Sequence, residues 1–426
     1  MRRLRPILFW THLVAGVVAG TVVLIMSVTG VLLTYQKQMT TWADLRGLDG
    51  GPPTAGATRL TPDSLLAVVT ATSGKSPSSV VWRNGADMPV EVQYGREGRA
   101  YVSAYTGAVL GTGSTGMRKV FSVATDWHRW LAMKDEGRAT GKAITGWSNL
   151  AFLVLVLTGM VLWWPRNLTW ATIRNVLWFR RTTSAKARDF NWHNVIGIWS
   201  ALPLAAVVAS AAVISFPWAS DLVYKAVGEA PPSRAPEGGA GGRAQNNGSL
   251  NNGSLNNGSL NNGSLNNGSL NNGSSNGGSS NGGDRGERKV AAPVVGDVYA
   301  VAATRMPDWR TISLAWPKGA DAPLVYTIDR GMGGEPTKRA TLTVSRTGEP
   351  TTWQTFDSLS AGRQARSIMR FTHTGEVLGF WGQTIAGLVS LGGAVLVYTG
   401  LMLSLRRFVA WRRRGARAEA SVAVTA

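Results

Sequence analysis

The chain has 426 residues, four histidines and no cysteine, with 44 Lys+Arg against 24 Asp+Glu for a net charge of +20. Without cysteine there can be no disulfide, thiolate zinc site, cysteine-ligated iron–sulfur cluster or covalently attached c-type haem. Four histidines leave room for one or two metal or haem sites, and the charge favours nucleic acid only if it gathers on one folded face.

Four apolar runs come first in chain order. Phe9–Tyr35, Ala143–Trp164, Asn194–Ser220 and Val377–Leu405 carry no charged residue over 27, 22, 27 and 29 positions. About 20 apolar residues cross a hydrocarbon core of roughly 30 Å, so four transmembrane helices are expected. The first run is too long for the apolar core of a signal peptide. Basic residues before the first run, between the second and third, and after the fourth account for +13 of the +20. Short basic segments stay in the cytoplasm, which puts both termini inside and both long loops outside. The charge is then a topology signal and a partner for anionic lipid headgroups of the bilayer, and nucleic-acid binding loses its support.

The chain reads as a duplication. Each half runs from a membrane helix through an external segment and a histidine to a second membrane helix. The expected division places a cytoplasmic N-terminus and first helix at 1–36, an external domain at 37–126, an interfacial segment and second helix at 127–165, and a cytoplasmic loop at 166–192. The third helix follows at 193–220, a flexible linker at 221–290, a second external domain at 291–362, an interfacial segment and fourth helix at 363–405, and a basic cytoplasmic tail at 406–426. The external segments end alike, in YVSAYTGAVLGT (Tyr101–Thr112) and TLTVSRTGEPTTW (Thr341–Trp353). Strands broken by a Thr-Gly turn fit both, each after a helix at Pro62–Thr72 or Val294–Thr304, so each loop is expected to carry a small α+β domain. Five NNGSL repeats at Asn246–Leu270 hold too little apolar surface to offset chain entropy and read as a tether.

The topology sorts the histidines into two pairs. His12 and His193 sit at the cytoplasmic starts of the first and third helices, while His128 and His373 precede the second and fourth on the outside. Imidazoles from different helices can be the two axial ligands of a b-type haem in an apolar bundle. His12 with His193 is expected to hold an inner haem, and His128 with His373 an outer one. Gly16, Gly20 and Gly197 lie four or eight residues after a histidine and would let a flat macrocycle approach the backbone. His128 lies 15 residues before the apolar run, with Trp127 and Trp130 beside it, so an interfacial helix folded over the bundle is expected there. Two haems at opposite leaflets would make an electron wire across the membrane.

Basic residues crowd the outer histidines, among them Arg129, Arg138, Arg363, Arg366 and Arg370. Arg129 and Arg370 suit contacts to haem propionates or to an anionic chelate. The GTGSTG stretch at Gly111–Gly116 lacks a parallel βαβ unit and reads as a connector, not a dinucleotide site.

WHRWLAMKDEGRATGKAITG (Trp127–Gly146), LTGMVLWWPR (Leu157–Arg166), FNWHNVIGIWSALP (Phe190–Pro203) and THTGEVLGFWGQTIAGL (Thr372–Leu388), with VTGVLLTYQ (Val28–Gln36), resemble the PepSY-associated transmembrane proteins. The resemblance implies a four-transmembrane-helix bundle with two external α+β PepSY-like domains. It further implies a bacterial inner-membrane, multi-pass ferric-siderophore reductase that binds two haem b and frees iron in the periplasm. His12, His128, His193 and His373 would ligate the haem irons. The donor is expected to be a separate cytoplasmic reductase or a membrane quinol, because no flavoreductase segment follows the fourth helix. Two other readings stand beside this one. One is a haem conduit to another periplasmic acceptor, a protein or copper; the other is a non-enzymatic sensor or assembly factor.

Overall fold

A computed structural model describes residues 4–164, 169–233, 298–317, 322–345, 347 and 349–425. The NNGSL tether and the first residues of the helix expected at Val294 lie outside the described residues. Among the described residues, four helices are long and apolar enough to span a bilayer, with mean hydropathy between 1.7 and 2.3, which makes the chain a membrane protein. They are α1 (Leu4–Leu33), α5 (Gly137–Trp163), α7 (Ala185–Ser215) and α11 (Gly379–Thr425). α1 packs on α5 and α11, and α7 packs on the same two, so α1 and α7 face each other across the bundle diagonal. Ala19, Val23, Phe152, Leu155, Leu204, Val208 and Val397 form its core.

Three boundaries differ from the sequence reading. α7 starts at Ala185, so His193 sits two turns inside the helix rather than at its start, and it ends at Ser215 because Pro217 opens the separate helix α8 (Pro217–Ala226). α11 continues as helix through the basic tail. α6 (Trp170–Leu177) lies in the loop before α7.

At the other end of the bundle, α2 (Gln36–Leu45), α4 (Thr115–Trp130) and α10 (Ala361–His373) cover the spanning helices. The chain reverses from α4 into α5 through Leu131, Ala132 and Asp135, all at φ between 47° and 58°. Left-handed non-glycine residues are costly and persist only where the surroundings hold them. Here α5 presses on the end of α4: Thr145 donates to the Arg129 carbonyl at 3.0 Å, and a Cβ at Gly141 would stand 2.2 Å from the Trp130 oxygen.

Among the described residues, the segments between α2 and α4 and between α8 and α10 form one antiparallel sheet of eight strands, ordered β4-β3-β2-β1-β5-β6-β7-β8. The first four are β1 (Ser79–Arg83), β2 (Val90–Gln93), β3 (Arg99–Val102) and β4 (Val109–Gly111). The rest are β5 (Thr311–Ala315), β6 (Leu324–Asp329), β7 (Arg339–Val344) and β8 (Pro350–Thr355). Each half of the chain contributes four strands, and the halves join where β1 pairs β5, Val80 opposite Leu314 and Trp82 opposite Ile312. Alternate residues point to one face, so Ile312, Leu314, Leu324, Tyr326, Ile328 and Leu342 are buried together. α3 (Pro62–Ser73) and α9 (Val298–Arg305) cover that face with Leu65, Leu66, Val69, Val298 and Ala302. α3 starts on a Thr61 cap and ends on Gly74 at φ 67°, the ordinary helix punctuation.

The opposite face carries buried charge. Glu91 receives Arg83 at 2.8 Å and Arg99 at 2.7 Å. Asp44 of α2 ties the sheet to the bundle: its carboxylate accepts from Tyr101 Oη at 2.8 Å, from the Ser114 amide at 2.8 Å and from Arg118 at 2.5 Å. The Gly111–Gly116 connector is therefore pinned at Ser114, which also caps α4. Replacing Asp44 by Ala strands three buried donors. A loss of about 3–5 kcal/mol is expected, read as a lower thermal midpoint of the detergent-purified protein; an unchanged midpoint would contradict it.

Candidate functional site

The four histidines meet in two pairs. His12 of α1 faces His193 of α7 across the bundle diagonal, with ring centres 6.3 Å apart and planes at 84°. His128 of α4 faces His373, the last residue of α10, at 6.1 Å and 41°. Two metal–nitrogen bonds of about 2.0–2.1 Å, plus about 1.1 Å from each ring centre to its nitrogen, predict roughly 6.3 Å between imidazoles on opposite sides of one metal ion. Both pairs stand at that separation. Along α1, 17 residues separate His12 from Thr29, which touches His128, so the pairs lie roughly 25 Å apart along the bundle.

The hydrogen bonds fix the tautomer. Nδ1 of His12 meets Thr158 Oγ1, Nδ1 of His193 meets Thr399 Oγ1 and Nδ1 of His128 meets Thr29 Oγ1, each at 3.0 Å. Each threonine hydroxyl donates its single proton back to its own helix, to Val154, Val395 or Ile25 at 2.6–2.7 Å. Toward the imidazole the oxygen can then only accept, so Nδ1 carries the proton and Nε2 keeps its lone pair. His373 Nδ1 donates to the Val207 carbonyl at 3.1 Å, and His128 Nδ1 also reaches the Met26 carbonyl at 3.0 Å. An Nδ1–H held by an outer acceptor is the arrangement that orients a metal-ligating histidine.

The device repeats. Thr29-Gly30, Thr158-Gly159 and Thr399-Gly400 each pair the acceptor with a residue lacking a side chain. A Cβ at Gly30 would stand 3.5 Å from His128 Cε1, at Gly159 3.4 Å from His12 Cε1, and at Gly400 3.4 Å from His193 Cε1. The glycine lets the ring lie against the neighbouring helix. In α7 the counterpart is Ser210-Ala211, whose serine donates to the same Val207 carbonyl that holds His373. These positions were legible as VTGVLL, LTGMVL and YTGLML, a recurrence in three spanning helices that reading from the histidines outward missed. The glycines singled out from the sequence pack elsewhere: Gly16 faces Leu155, Gly20 faces Leu401 and Gly197 faces Leu396.

Burial, then the neighbouring His373, pushes the His128 imidazole down to about 4, and burial lowers His373 as well. Both rings are thus neutral, the form that binds metal. Arginines gather around this pair. Arg129 and Arg138 both lie 4.6 Å from the Trp130 ring centre, while Arg370 and Arg339 lie 5.5 and 5.9 Å from that of Phe371. Burial and then Arg138 hold the Arg129 guanidinium below its ordinary value; burial and then Arg366 and Arg339 do the same to Arg370. Such crowding of cations is relieved by an anion. Nearby acids are engaged: Glu376 with Lys37, and Asp126 at 3.9 Å from Arg138.

Among the described residues, four helices long enough to span a bilayer, an eight-stranded sheet beyond one end and two facing histidine pairs define a membrane protein with a pair of imidazoles toward each end of its bundle. Residues 9–407 match the family model described as the PepSY-associated TM region, and the chain belongs to that family. No curated protein matches the chain.

Selective ¹⁵N labelling of histidine in the ligand-free protein is expected to report Nδ1–H tautomers at all four positions. Thr158→Val should shift the His12 resonances and leave His128 and His373 unmoved; Nε2–H signals in the parent protein would overturn the assignment.

Proposed function

We propose that this chain is a dihaem b-type oxidoreductase of the bacterial inner membrane that passes electrons outward to a ferric chelate of the siderophore class. The observation that carries the reading is the pair of imidazole couples, 6.3 and 6.1 Å between ring centres, at the two ends of one apolar bundle. The residues suit haem in three ways. Each Nε2 keeps a lone pair, three of the four rings sit beside a glycine, and the arginine cluster at the outer pair offers counter-charge to propionates. His12 and His193 would hold the inner group, and His128 and His373 the outer one. A b-type haem supplies a one-electron iron(III)/iron(II) couple.

The protein's own part is positional. The threonines and the Val207 carbonyl hold the imidazoles, and the bundle core excludes water. Basic segments mark the end away from the sheet as cytoplasmic, by the positive-inside rule, which leaves the sheet in the periplasm with its two PepSY-like halves. Arg129, Arg339, Arg366 and Arg370 lie between sheet and bundle, where an anionic ferric chelate would dock near the outer couple. Hard oxygen chelators hold iron(III) far more tightly than iron(II), so one-electron reduction releases the metal without breaking the ligand.

Detergent-purified protein is expected to contain two haems per chain by pyridine haemochrome. His12→Ala or His193→Ala should remove one, and His128→Ala or His373→Ala the other. Reduced protein should be reoxidised by ferric siderophores, and Arg370→Gln should slow that step at least about tenfold, the scale of one lost charge-assisted contact. A protein without a Soret band would sink the haem assignment; haem that ferric chelates do not reoxidise would redirect the function to another acceptor, such as a protein or copper.

A further inference from the structure

A cavity of about 610 Å³ lies among the sheet and its covering helices, away from the bundle. Its lining comes from two stretches. Arg59–Asp63 lead into α3 in the first half of the chain, and Tyr299, Ala303 and Trp309 lie on or just after α9 in the second. The cavity therefore straddles the joint between the halves, where Asn84, next after β1, donates to the Trp309 carbonyl at 2.9 Å. The buried charges that tie the sheet to the bundle are on the opposite face. The cavity is thus a separate place from both histidine pairs.

Two features distinguish it from a packing gap. The first is Arg59, a half-buried cation at its edge. Its guanidinium donates to the main-chain carbonyls of Arg83, at 3.1 Å, and of Gly85, and lies 6.0 Å from the Tyr105 ring centre. Among the described residues no carboxylate pairs with it. Elsewhere in the sheet Arg83 and Arg99 share Glu91, and Arg339 holds Asp329. A guanidinium has five N–H donors, so two carbonyls leave Arg59 with open donors and no counter-ion.

The second feature is an aromatic wall. Tyr299 and Trp309 stack with ring centres 6.1 Å apart and planes at 19°. Trp82 of β1 meets Tyr299 edge-on at 6.4 Å. Trp82 is wholly buried, and its Nε1 finds no acceptor among the described residues. A buried indole N–H ordinarily has one.

We propose that this cavity binds a small aromatic carboxylate. The acid group would take the open N–H groups of Arg59, since a guanidinium fork matches a carboxylate. The ring would lie against Tyr299, with Leu60, Pro62 and Ala303 as the apolar remainder of the wall. Asp63, the other charged lining residue, repels a carboxylate and so fixes which way the ligand points. The volume falls in the ordinary range of small-molecule sites, roughly 300–1,000 Å³. A ligand held there touches both halves and braces the β1–β5 seam. Such binding is independent of the haem reading.

The test titrates the full-length protein in detergent, by calorimetry, with benzoate, 4-hydroxyphenylacetate and indole-3-acetate, each beside its uncharged amide. At least one acid is expected to bind at least tenfold more tightly than its amide, the scale of a charge-assisted contact. Arg59→Gln should abolish that preference. Ala303→Phe, which fills the cavity and leaves the Arg59 bonds in place, should weaken acid binding at least tenfold. The comparison of acid with amide uses the parent protein, so it holds even where Arg59→Gln is unstable. Hydrogen–deuterium exchange with the bound acid should slow amides within residues 59–66 and 298–310. Equal affinity for acid and amide, no binding of any acid, parent affinity in Ala303→Phe, or protection confined to the spanning helices would overturn the site.

Discussion

An imidazole inside an apolar bundle must find a hydrogen-bond partner for each nitrogen, and the rest of the arrangement follows from how that is done. Water is scarce there, and an unsatisfied polar group costs several kcal/mol, on the order of the penalty in hydrocarbon. In each of the four cases Nδ1 is satisfied by a hydroxyl or a carbonyl on a different helix. Those bonds tie the helices together and leave the other nitrogen of each ring with its lone pair. Satisfying the backbone-like demand of one nitrogen creates the chemistry of the other.

Each pair also joins the two halves of the chain. His12 and His128 come from the first half, and His193 and His373 from the second. The sheet repeats this logic, since β1 of one half pairs β5 of the other. The half-to-half interface is therefore fixed at three levels: the inner pair, the outer pair and the strand seam. Asp44 links the upper two, binding α4, which carries His128, to Tyr101 of β3. One buried carboxylate thus connects the sheet to the helix that carries an outer imidazole.

Much of this was readable in the sequence because hydropathy and charge obey long-range rules. The four spans and the two-and-two division of the histidines follow from run length and basic flanks. So does the interfacial placement of His128, from the charged residues between it and the next span. The seam between β1 and β5 was not readable, because pairing partners over 200 residues apart leave no local pattern. The leucine neighbours of Gly16, Gly20 and Gly197 were not readable for a similar reason. A glycine one turn from a histidine says nothing about which neighbouring helix it meets, whereas the Thr-Gly pairs are identified only once the partner helix is known. The burial of Asp189 against α11 was not readable either, because it depends on α7 starting two turns earlier than the apolar run suggests.

The seam also sets an order of events in synthesis. β1 carries Val80, Val81 and Trp82, all buried in the finished sheet, and its partner edge emerges roughly 230 residues later. At about 5–20 residues per second, that edge waits roughly 10–45 s for β5. An apolar strand edge left open that long is a template for wrong pairing. During that interval two further spans, α5 and α7, emerge while the β1 edge has no partner strand.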